Sequence, residues 1–385
     1  MSKIKVNSLE GVGASTPAIT IDNASGTCTA NITNNLSNRN LIINGAMQVA
    51  QRGTSFADSA NGSYTLDRFN IQNSSGTPAF TVTQDTDTPN GFNNALKVAC
   101  TTADTSPAAG SFSRIRYSVE AQDLQPLAKG SSSAKAQTLS FYVKTNKTGV
   151  YTVFVYDDDN NRMFSASYTV SDTNWNRYTI NIPADTTGAI ADDNGAGYVI
   201  HWGLSLGSNR TSGSLASTWA TYAQANEHVG NVNFADNTSN VWAITGVQLE
   251  VGSVATDFEH RSFGQELALC QRYFYMHTDG SIDGSSNTTS VSDSMTVHSS
   301  TMAFGTITPP VTMRSKPSLY SVQTSGYFKY YNPNGNQTNI SNLALDSVTT
   351  RTSIVFYIDG SFTAGQAILL RAFDANAKLG FNAEL

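Results

Sequence analysis

The feature that most constrains the fold is a regular alternation of apolar and polar side chains along residues 198–206. Large apolar side chains fill every second position: Tyr198, Ile200, Trp202, Leu204 and Leu206. The positions between them hold small or polar residues such as His201, Gly203 and Ser205. Since successive side chains of a strand point to opposite faces, one face of this segment is apolar. The pattern predicts a β-strand that buries Trp202 in a core.

The same alternation recurs along residues 39–260, with turn sequences between the alternating segments. It is clear in residues 139–143 and 178–182. Segments 157–161 and 192–195 are rich in Asp and Asn, as turns are. Many short strands joined by polar turns predict an all-β domain, an antiparallel jelly-roll sandwich over residues 39–260.

The segment Val241–Val251 alternates too, but its register changes at Gly246. Trp242 and Ile244 share one parity, whereas the apolar residues after Gly246 share the other. A glycine at such a switch favours a β-bulge. We expect a last core strand that buries Trp242 and bends toward the exit of the domain.

Residues 261–276 carry the signature of a helix. Ser262 and Gln265 are spaced as a capping box, and Glu266 follows in the first turn. Two adjacent apolar stripes continue to the end of the segment: Leu267, Cys270 and Phe274, then Leu269, Tyr273 and Met276. The width of the apolar surface predicts a connecting helix that is buried between domains or at a subunit interface.

Residues 277–385 return to β-character and predict a second, smaller β-sandwich domain. Candidate strands lie at residues 295–297, 305–308, 327–331, 352–358 and 367–373. The turn sequences 332–336 and 359–360 separate some of them. No strict internal repeat is visible, which disfavours a long β-helix.

Residues 1–38 contain too few apolar side chains for an independent core. The alternation in residues 18–21 predicts short strands. A segment of this kind usually becomes ordered against another chain or a neighbouring domain. We therefore interpret residues 1–38 as an extended anchor or trimerisation segment.

Composition excludes several classes of function. Charged residues make up 14% of the chain, against about 25% in ordinary soluble domains, and the net charge is -6. No basic stripe favours nucleic acid, and no apolar run approaches the ~20 residues that span a bilayer. The first residues lack the apolar core of a secretory signal, so we expect synthesis in a cytoplasm. The distant Cys28, Cys100 and Cys270 predict buried thiols rather than a disulfide framework or a zinc site.

No catalytic site is predicted. Residues 203–207 match G-x-S-x-G, but Ser205 lies inside an alternating strand and not at a strand-to-helix turn. Residues 157–161 imitate the start of a calcium loop, but Arg162 replaces its glycine and Tyr168 its glutamate. The five histidines have no metal-ligand spacing, and the paired aspartates at 157–158 and 192–193 lie in turn sequence, where solvated turns are the expectation.

Aromatic side chains that we expect to be exposed are the candidates for ligand binding. Tyr and Trp rings stack on sugar faces, while neighbouring amides and carboxylates bind sugar hydroxyls. The candidates are Trp175, Trp219 and Tyr222 in the first domain and Tyr327, Tyr330 and Tyr331 in the second. The alternative for each of them is packing against a neighbouring side chain.

Two long blocks resemble a known family. Residues 40–56 read NLIINGAMQVAQRGTSF, and residues 64–69 read YTLDRF. Residues 245–261 read TGVQLEVGSVATDFEHR, and residues 266–274 read ELALCQRYF. These blocks resemble a family of phage tail-fibre proteins in which they bracket a jelly roll similar to carbohydrate-binding modules. The start of the chain, residues 3–13, looks like the start of fibre proteins from phages of marine cyanobacteria.

The resemblance implies a structural virion protein that attaches to a host surface. It implies no cofactor, although a structural calcium ion in the jelly roll is left open. The expected partners are two further copies in a homotrimer, phage tail or portal-proximal adaptor proteins at the N-terminal segment, and a host polysaccharide or receptor, with neither nucleic acid nor membrane insertion. The C-terminal domain is the candidate receptor-binding tip. Alternatives are a capsid-attached fibre or decoration protein and a polysaccharide-cleaving tailspike.

Charged residues of the two blocks suggest a clamp between the first and last strands of the jelly roll. Glu250, Glu259, His260 and Arg261 lie near the exit of the domain. The hypothesis is that they pair with Arg52 or Arg68.

Overall fold

A computed structural model of the protein describes residues 38–57, 61–74, 78–280 and 289–385, together with three short strands before residue 38. The strands in chain order are β1 Ser8–Leu9, β2 Ile19–Ile21, β3 Cys28–Ala30, β4 Ser55–Ala57, β5 Ser63–Tyr64, β6 Phe69–Asn73, β7 Ala79–Asp85, β8 Ala95–Thr102, β9 Phe112–Glu120, β10 Gln137–Thr145, β11 Gly149–Asp157, β12 Arg162–Val170, β13 Asn176–Ile182, β14 Ala196–Leu206, β15 Ala220–Thr221, β16 Val241–Val251, β17 Phe274–Thr278, β18 Thr289–Val297, β19 Met302–Ile307, β20 Ser318–Val322, β21 Phe328–Tyr331, β22 Gln337–Asn339, β23 Asn342–Leu345, β24 Ile354–Asp359, β25 Ala367–Ala372 and β26 Lys378–Asn382. The helix α1 is Phe263–Gln271, and short 3-10 helices cover Ala121–Leu127, Ser208–Arg210, Gln224–Asn226 and Phe234–Asp236.

The first domain is an antiparallel jelly-roll sandwich, as predicted. One sheet has six strands in the order β13-β10-β16-β8-β7-β4, and the other has seven in the order β15-β12-β11-β14-β9-β6-β5. The chain crosses between the sheets repeatedly, for example from β8 to β9 and on to β10. The inner faces of both sheets contribute to one apolar core.

The apolar side chains of β14 lie at the centre of that core. Trp202 is 0% exposed, and its ring meets Phe141 of the facing sheet edge-on with centroids 5.9 Å apart. Trp242 of β16 is also 0% exposed. The prediction that both indoles are core residues is confirmed. Cys100 and Cys270 are buried free thiols, also as expected, while the side chain of Cys28 lies outside the described residues.

The register change in β16 follows from its glycine. Gly246 has φ +61°, and the pairing of β16 with β10 slips opposite it, between Ser140 and Tyr142. A Cβ on Gly246 would lie 2.7 Å from Cζ of Phe92. The bulge lets Ile244 and Val247 both face the core, since both are 0% exposed.

The predicted helix exists, but it is shorter than expected. The capping box of Ser262 and Gln265 is formed, and α1 ends at Gln271. Tyr273 and Phe274 are buried beyond the helix, where Phe274 begins β17. The prediction of one helix to residue 276, buried over much of its surface, is therefore wrong. Two different elements bury the apolar residues, and Leu269 remains 36% exposed.

The second domain is a smaller β-structure with its own core. A sheet of seven strands has the order β22-β21-β25-β18-β19-β24-β23, and a sheet of three has the order β17-β26-β20. Every candidate strand in residues 277–385 overlaps an observed strand, although β18 is much longer than the candidate at residues 295–297. Residues from both sheets, including Phe356 and Phe381, form the core.

The N-terminal segment is described only at β1, β2 and β3. These strands form a small antiparallel sheet, in which β2 matches the predicted strand at residues 18–21. The predicted anchor and trimerisation role of residues 1–38 lies otherwise outside the described residues.

The two blocks that resemble tail fibres bind each other. Asn40 Nδ2 donates to the carbonyl oxygen of Val247, and Asn40 Oδ1 accepts from the amide of Leu249. The amide of Asn40 donates to Glu259 at 2.8 Å, and Arg261 donates to the carbonyl oxygens of Asn40 and Ile42. The segment before β4 is therefore joined to β16 and to the segment that follows it, but not by Arg52 or Arg68.

Arg52 and Arg68 instead bind the end of the second domain, so their pairing in the clamp hypothesis is wrong. Both guanidinium groups contact the carboxylate of Glu384, at 3.4 Å for Arg52. The side chains of all three residues are at most 4% exposed. Glu384 is 316 residues from Arg68 in the sequence, and no local pattern connects them. This buried ion cluster fastens the second domain to the first.

Candidate functional site

A polar cavity of about 430 Å³ lies on the outer face of the six-stranded sheet. Its lining residues are Asp85, Asp87, Lys97, Lys144, Thr145, Asn146, Thr173, Asn174, Val241 and Ala243. They come from the adjacent strands β10, β16, β8 and β7, from the turn after β7 and from the loops at residues 146 and 173–174.

Strand register builds the floor of this cavity. Lys144 of β10 lies opposite Ala243 of β16, which in turn lies opposite Lys97 of β8. Because Trp242 and Ile244 point into the core, Ala243 between them points outward. A small side chain between two long ones leaves a hollow on the sheet surface.

Each lysine of the floor is paired with an aspartate. Lys144 Nζ lies 2.7 Å from Asp87 Oδ2, and Lys97 Nζ lies 2.6 Å from Asp85 Oδ2. The hydrogen bond from Lys144 holds the pKa of Asp87 below its usual value. Burial opposes such a shift at Asp85, yet the hydrogen bond from Lys97 still lowers the pKa of its carboxyl group. Both carboxylates are therefore ionised acceptors near neutral pH.

The half-buried indole of Trp175 is joined to the cavity through Asp87. Trp175 Nε1 donates to Asp87 Oδ1 at 3.2 Å, so one carboxylate binds both the indole and Lys144. Asp172 fixes the loop that carries Trp175, since it accepts from the amide of Asn174 at 2.9 Å and from Asn176 Nδ2 at 2.8 Å. The site thus combines an aromatic ring, held in place, with fixed donors and acceptors, an arrangement suited to sugars.

Trp219 lies away from this cavity and packs into the sandwich. Its ring stacks on Tyr198 with centroids 5.4 Å apart, and its Nε1 donates to the carbonyl oxygen of Pro183 at 2.9 Å. Lys129 Nζ lies 5.1 Å from the ring centroid. The same ammonium group is bound by Asp157 at 2.5 Å, so the expectation of a solvated turn is wrong for Asp157. Trp219 therefore packs against neighbouring side chains, which was the alternative to ligand binding.

Tyr222 belongs to a charged network on the other sheet. Its hydroxyl donates to Glu227 Oε1 at 2.6 Å, and this carboxylate also binds Arg210 and Arg114. The Tyr222 pKa is raised to about 12, because of burial first and Glu227 second. Burial lowers the pKa of Arg114 to about 10 although Glu227 opposes this shift. Sequence reasoning missed Glu227, since nothing near it in the chain marks its partners.

The three tyrosines of the second domain differ in exposure. Tyr330 is 3% exposed, its hydroxyl donates to the carbonyl oxygen of Ser361, and its ring meets Phe362 at 4.7 Å. The premise that Tyr330 is an exposed aromatic is wrong. Tyr331 is half-buried and stacks on Phe373 at 5.9 Å, and Tyr327 is half-buried on the turn before β21.

The serine of the G-x-S-x-G match lies within a strand. Ser205 is 1% exposed within β14, as its alternating context predicted. Within the described ranges, no group of three or more His, Cys, Asp or Glu side chains is placed to hold a metal ion. Among the same residues no helix has the length and apolar character needed to cross a membrane.

Comparison with known proteins gave structural matches only. No family model and no curated protein matches the chain. A "putative sugar binding protein" from Bacteroides thetaiotaomicron matches with 13% identity and a TM-score of 0.33, over 55% of this chain and 100% of that chain. The CBM22-1 xylan-binding domain from Paenibacillus barcinonensis matches with 10% identity and a TM-score of 0.26, over 52% and 94%. The family 11 carbohydrate-binding module from Clostridium thermocellum, solved with a mixed-linked tetrasaccharide, matches with 11% identity and a TM-score of 0.27, over 54% and 98%. Likenesses at this level do not bear on what this chain binds.

Proposed function

We propose that the protein binds a surface polysaccharide through the cavity beside Trp175 and serves as a fibre subunit of a tailed virus that attaches to its host. The observation that carries the binding proposal is the cavity itself. It holds two lysine–aspartate pairs, hydroxyl groups and amide groups on the outer face of a sandwich, and the indole of Trp175 donates to Asp87 of its lining. Binding is reversible, and no bond is made or broken.

The charge of the cavity limits the saccharides that fit it. Two ammonium groups and two carboxylates lie within it, in pairs. Hydroxyl groups of a sugar can donate to the carboxylates and accept from the ammonium groups without leaving any charge unpaired. A ligand with an excess of either charge would have to break a pair.

The test of binding is a microarray of bacterial surface polysaccharides probed with the full chain. We expect binding to at least one polysaccharide, weakened at least 10-fold by Trp175→Ala and by Lys144→Ala. Val150→Ala, which trims a side chain exposed on the other sheet, is the matched control. Binding that survives Trp175→Ala unchanged would rule out this cavity.

The fibre role is supported by the resemblance of residues 40–56, 64–69, 245–261 and 266–274 to tail-fibre proteins. Immunogold labelling of virus particles distinguishes a tail fibre from a capsid-attached fibre, since label at the tail supports the first and label on the head supports the second. Mass photometry tests the homotrimer, and a monodisperse monomer would contradict it. Multivalent display would let weak sites act together. Release of fragments from a bound polysaccharide would favour the cleaving spike instead.

A further inference from the structure

The second domain contains a separate cavity of about 210 Å³. It lies between the turn that follows β20 and the first residue of β23. Its lining residues are Gln323, Thr324, Ser325, Phe328, Ile340, Ser341 and Asn342. None of these seven side chains carries a charge, in contrast to the lysine and aspartate pairs of the cavity beside Trp175.

Two amide side chains of this cavity are held in place by their nitrogen atoms. Gln323 Nε2 donates to Ser321 Oγ at 2.8 Å and to the carbonyl oxygen of Leu343 at 3.1 Å. Asn342 Nδ2 donates to Asp359 Oδ2 at 3.1 Å. Within the described part of the chain, the amide oxygens of Gln323 and Asn342 accept no hydrogen bond. They are acceptors whose side chains need little further ordering to bind a ligand.

The other lining residues complement these acceptors. The hydroxyl groups of Thr324, Ser325 and Ser341 have no protein partner among residues 289–385, and each can both donate and accept. Phe328 is 2% exposed and supplies, with Ile340, an apolar floor. An uncharged polar rim above an apolar floor fits a molecule with many hydroxyl groups and one apolar face.

We propose that this cavity is a second binding site, which takes one uncharged sugar unit. Its volume is below the roughly 300–1,000 Å³ of sites for drug-sized ligands, so a single ring fits better than a longer oligosaccharide. A charged sugar is disfavoured because no lining residue supplies a counter-charge. One chain then carries two sites of different chemistry, and each recognises its ligand independently of the other.

Saturation-transfer NMR with the full chain tests this site. The probes are the methyl glycosides of glucose, galactose and mannose, with glucuronic acid and glucosamine as charged comparisons. We expect at least one neutral glycoside to bind with a Kd of about 1–10 mM, the range for a ligand of about a dozen non-hydrogen atoms. Ser341→Tyr, which fills the cavity, should weaken this binding at least 10-fold, and Ser325→Tyr fills the same cavity from another segment of its lining.

Controls separate this site from the cavity beside Trp175. Ser347→Tyr adds the same ring at an exposed serine outside the cavity, and Trp175→Ala removes the aromatic of the first site. Both should leave the Kd within twofold. Loss of the signal in Trp175→Ala but not in the two filling variants would overturn the second site, as would the absence of a signal for all three neutral glycosides. If no polysaccharide bound at the cavity beside Trp175, by contrast, the proposed function would fail but the second site would not be affected.

Discussion

Two buried histidines make the stability of the first domain dependent on pH. His201 of β14 is 5% exposed and His228 is 0% exposed, and both rings pack against Phe154. Burial lowers the pKa of both imidazoles well below 6.5, and the positive charge of Arg114 lowers it further. Arg210 acts on both rings in the same direction. Both histidines are therefore neutral in the folded protein near neutral pH.

The direction of the pH effect follows from the depressed pKa values. The unfolded chain binds protons at these histidines near pH 6.5, whereas the folded protein does not. The free energy of unfolding is therefore undiminished at pH values well above the pKa of the unfolded chain, and it decreases as the pH falls through and below that pKa. When the pH is lowered from about 7.5 to about 5.5, each histidine lowers the free energy of unfolding by about 1.4 kcal/mol, and the pair lowers it by about 2.7 kcal/mol.

Urea denaturation followed by tryptophan fluorescence measures this loss. All four tryptophans of the chain lie between residues 175 and 242, so the signal reports on the first domain. His201→Phe keeps the packing on Phe154, and no hydrogen bond of the His201 ring nitrogens to the described residues is lost. It should remove about half of the pH-dependent loss, and adding His228→Gln should remove the rest.

A matched control separates the buried pair from other titrating groups. His260→Gln replaces an exposed histidine of the same chain and is the comparison variant for the loss of an imidazole. If the double variant loses as much stability between the two pH values as the wild type does, the reasoning from burial is refuted.

Two further substitutions test the buried ion cluster at Glu384 and the close packing at Gly246. Glu384→Gln leaves two buried guanidinium groups without their carboxylate and should destabilise the protein by about 3–5 kcal/mol in calorimetry. A loss below about 1 kcal/mol would contradict a buried cluster. Gly246→Ala places a Cβ 2.7 Å from Phe92 at φ +61° and should cost about 2–4 kcal/mol in urea denaturation. Gly264→Ala, in the first turn of α1 with nothing within 4 Å, is the control and should change stability by no more than about 0.5 kcal/mol, so equal effects at the two glycines would refute the steric argument.

Sequence reasoning succeeded where a local pattern decides the structure. The period of two in β14 fixed the inward position of Trp202, and the parity change at Gly246 marked the bulge in β16. The capping box at Ser262 placed the start of α1 correctly. These features depend on neighbouring residues of the chain, so periodicity and capping chemistry suffice to predict them.

The features that were missed depend on residues far apart in the chain. Glu384 meets Arg68 across 316 residues, and Lys129 meets Asp157 across 28. Such contacts are set by how strands are ordered in a sheet and how domains pack. The cavity beside Trp175 is of the same kind, since its floor needs the order β10-β16-β8 to bring Lys144 and Lys97 to either side of Ala243. The sequence therefore indicated the aromatic residue but not its polar neighbours.

The most direct test of sugar binding is titration calorimetry of the full chain with a polysaccharide fragment selected on the microarray, alongside Trp175→Ala and Val150→Ala. The cavity beside Trp175 predicts that Val150→Ala binds as the wild type does and that Trp175→Ala loses at least about 1.4 kcal/mol of binding free energy, a rise in Kd of about 10-fold or more. An unchanged Kd in Trp175→Ala, in a variant that is folded, would contradict the assignment of this cavity as the sugar site.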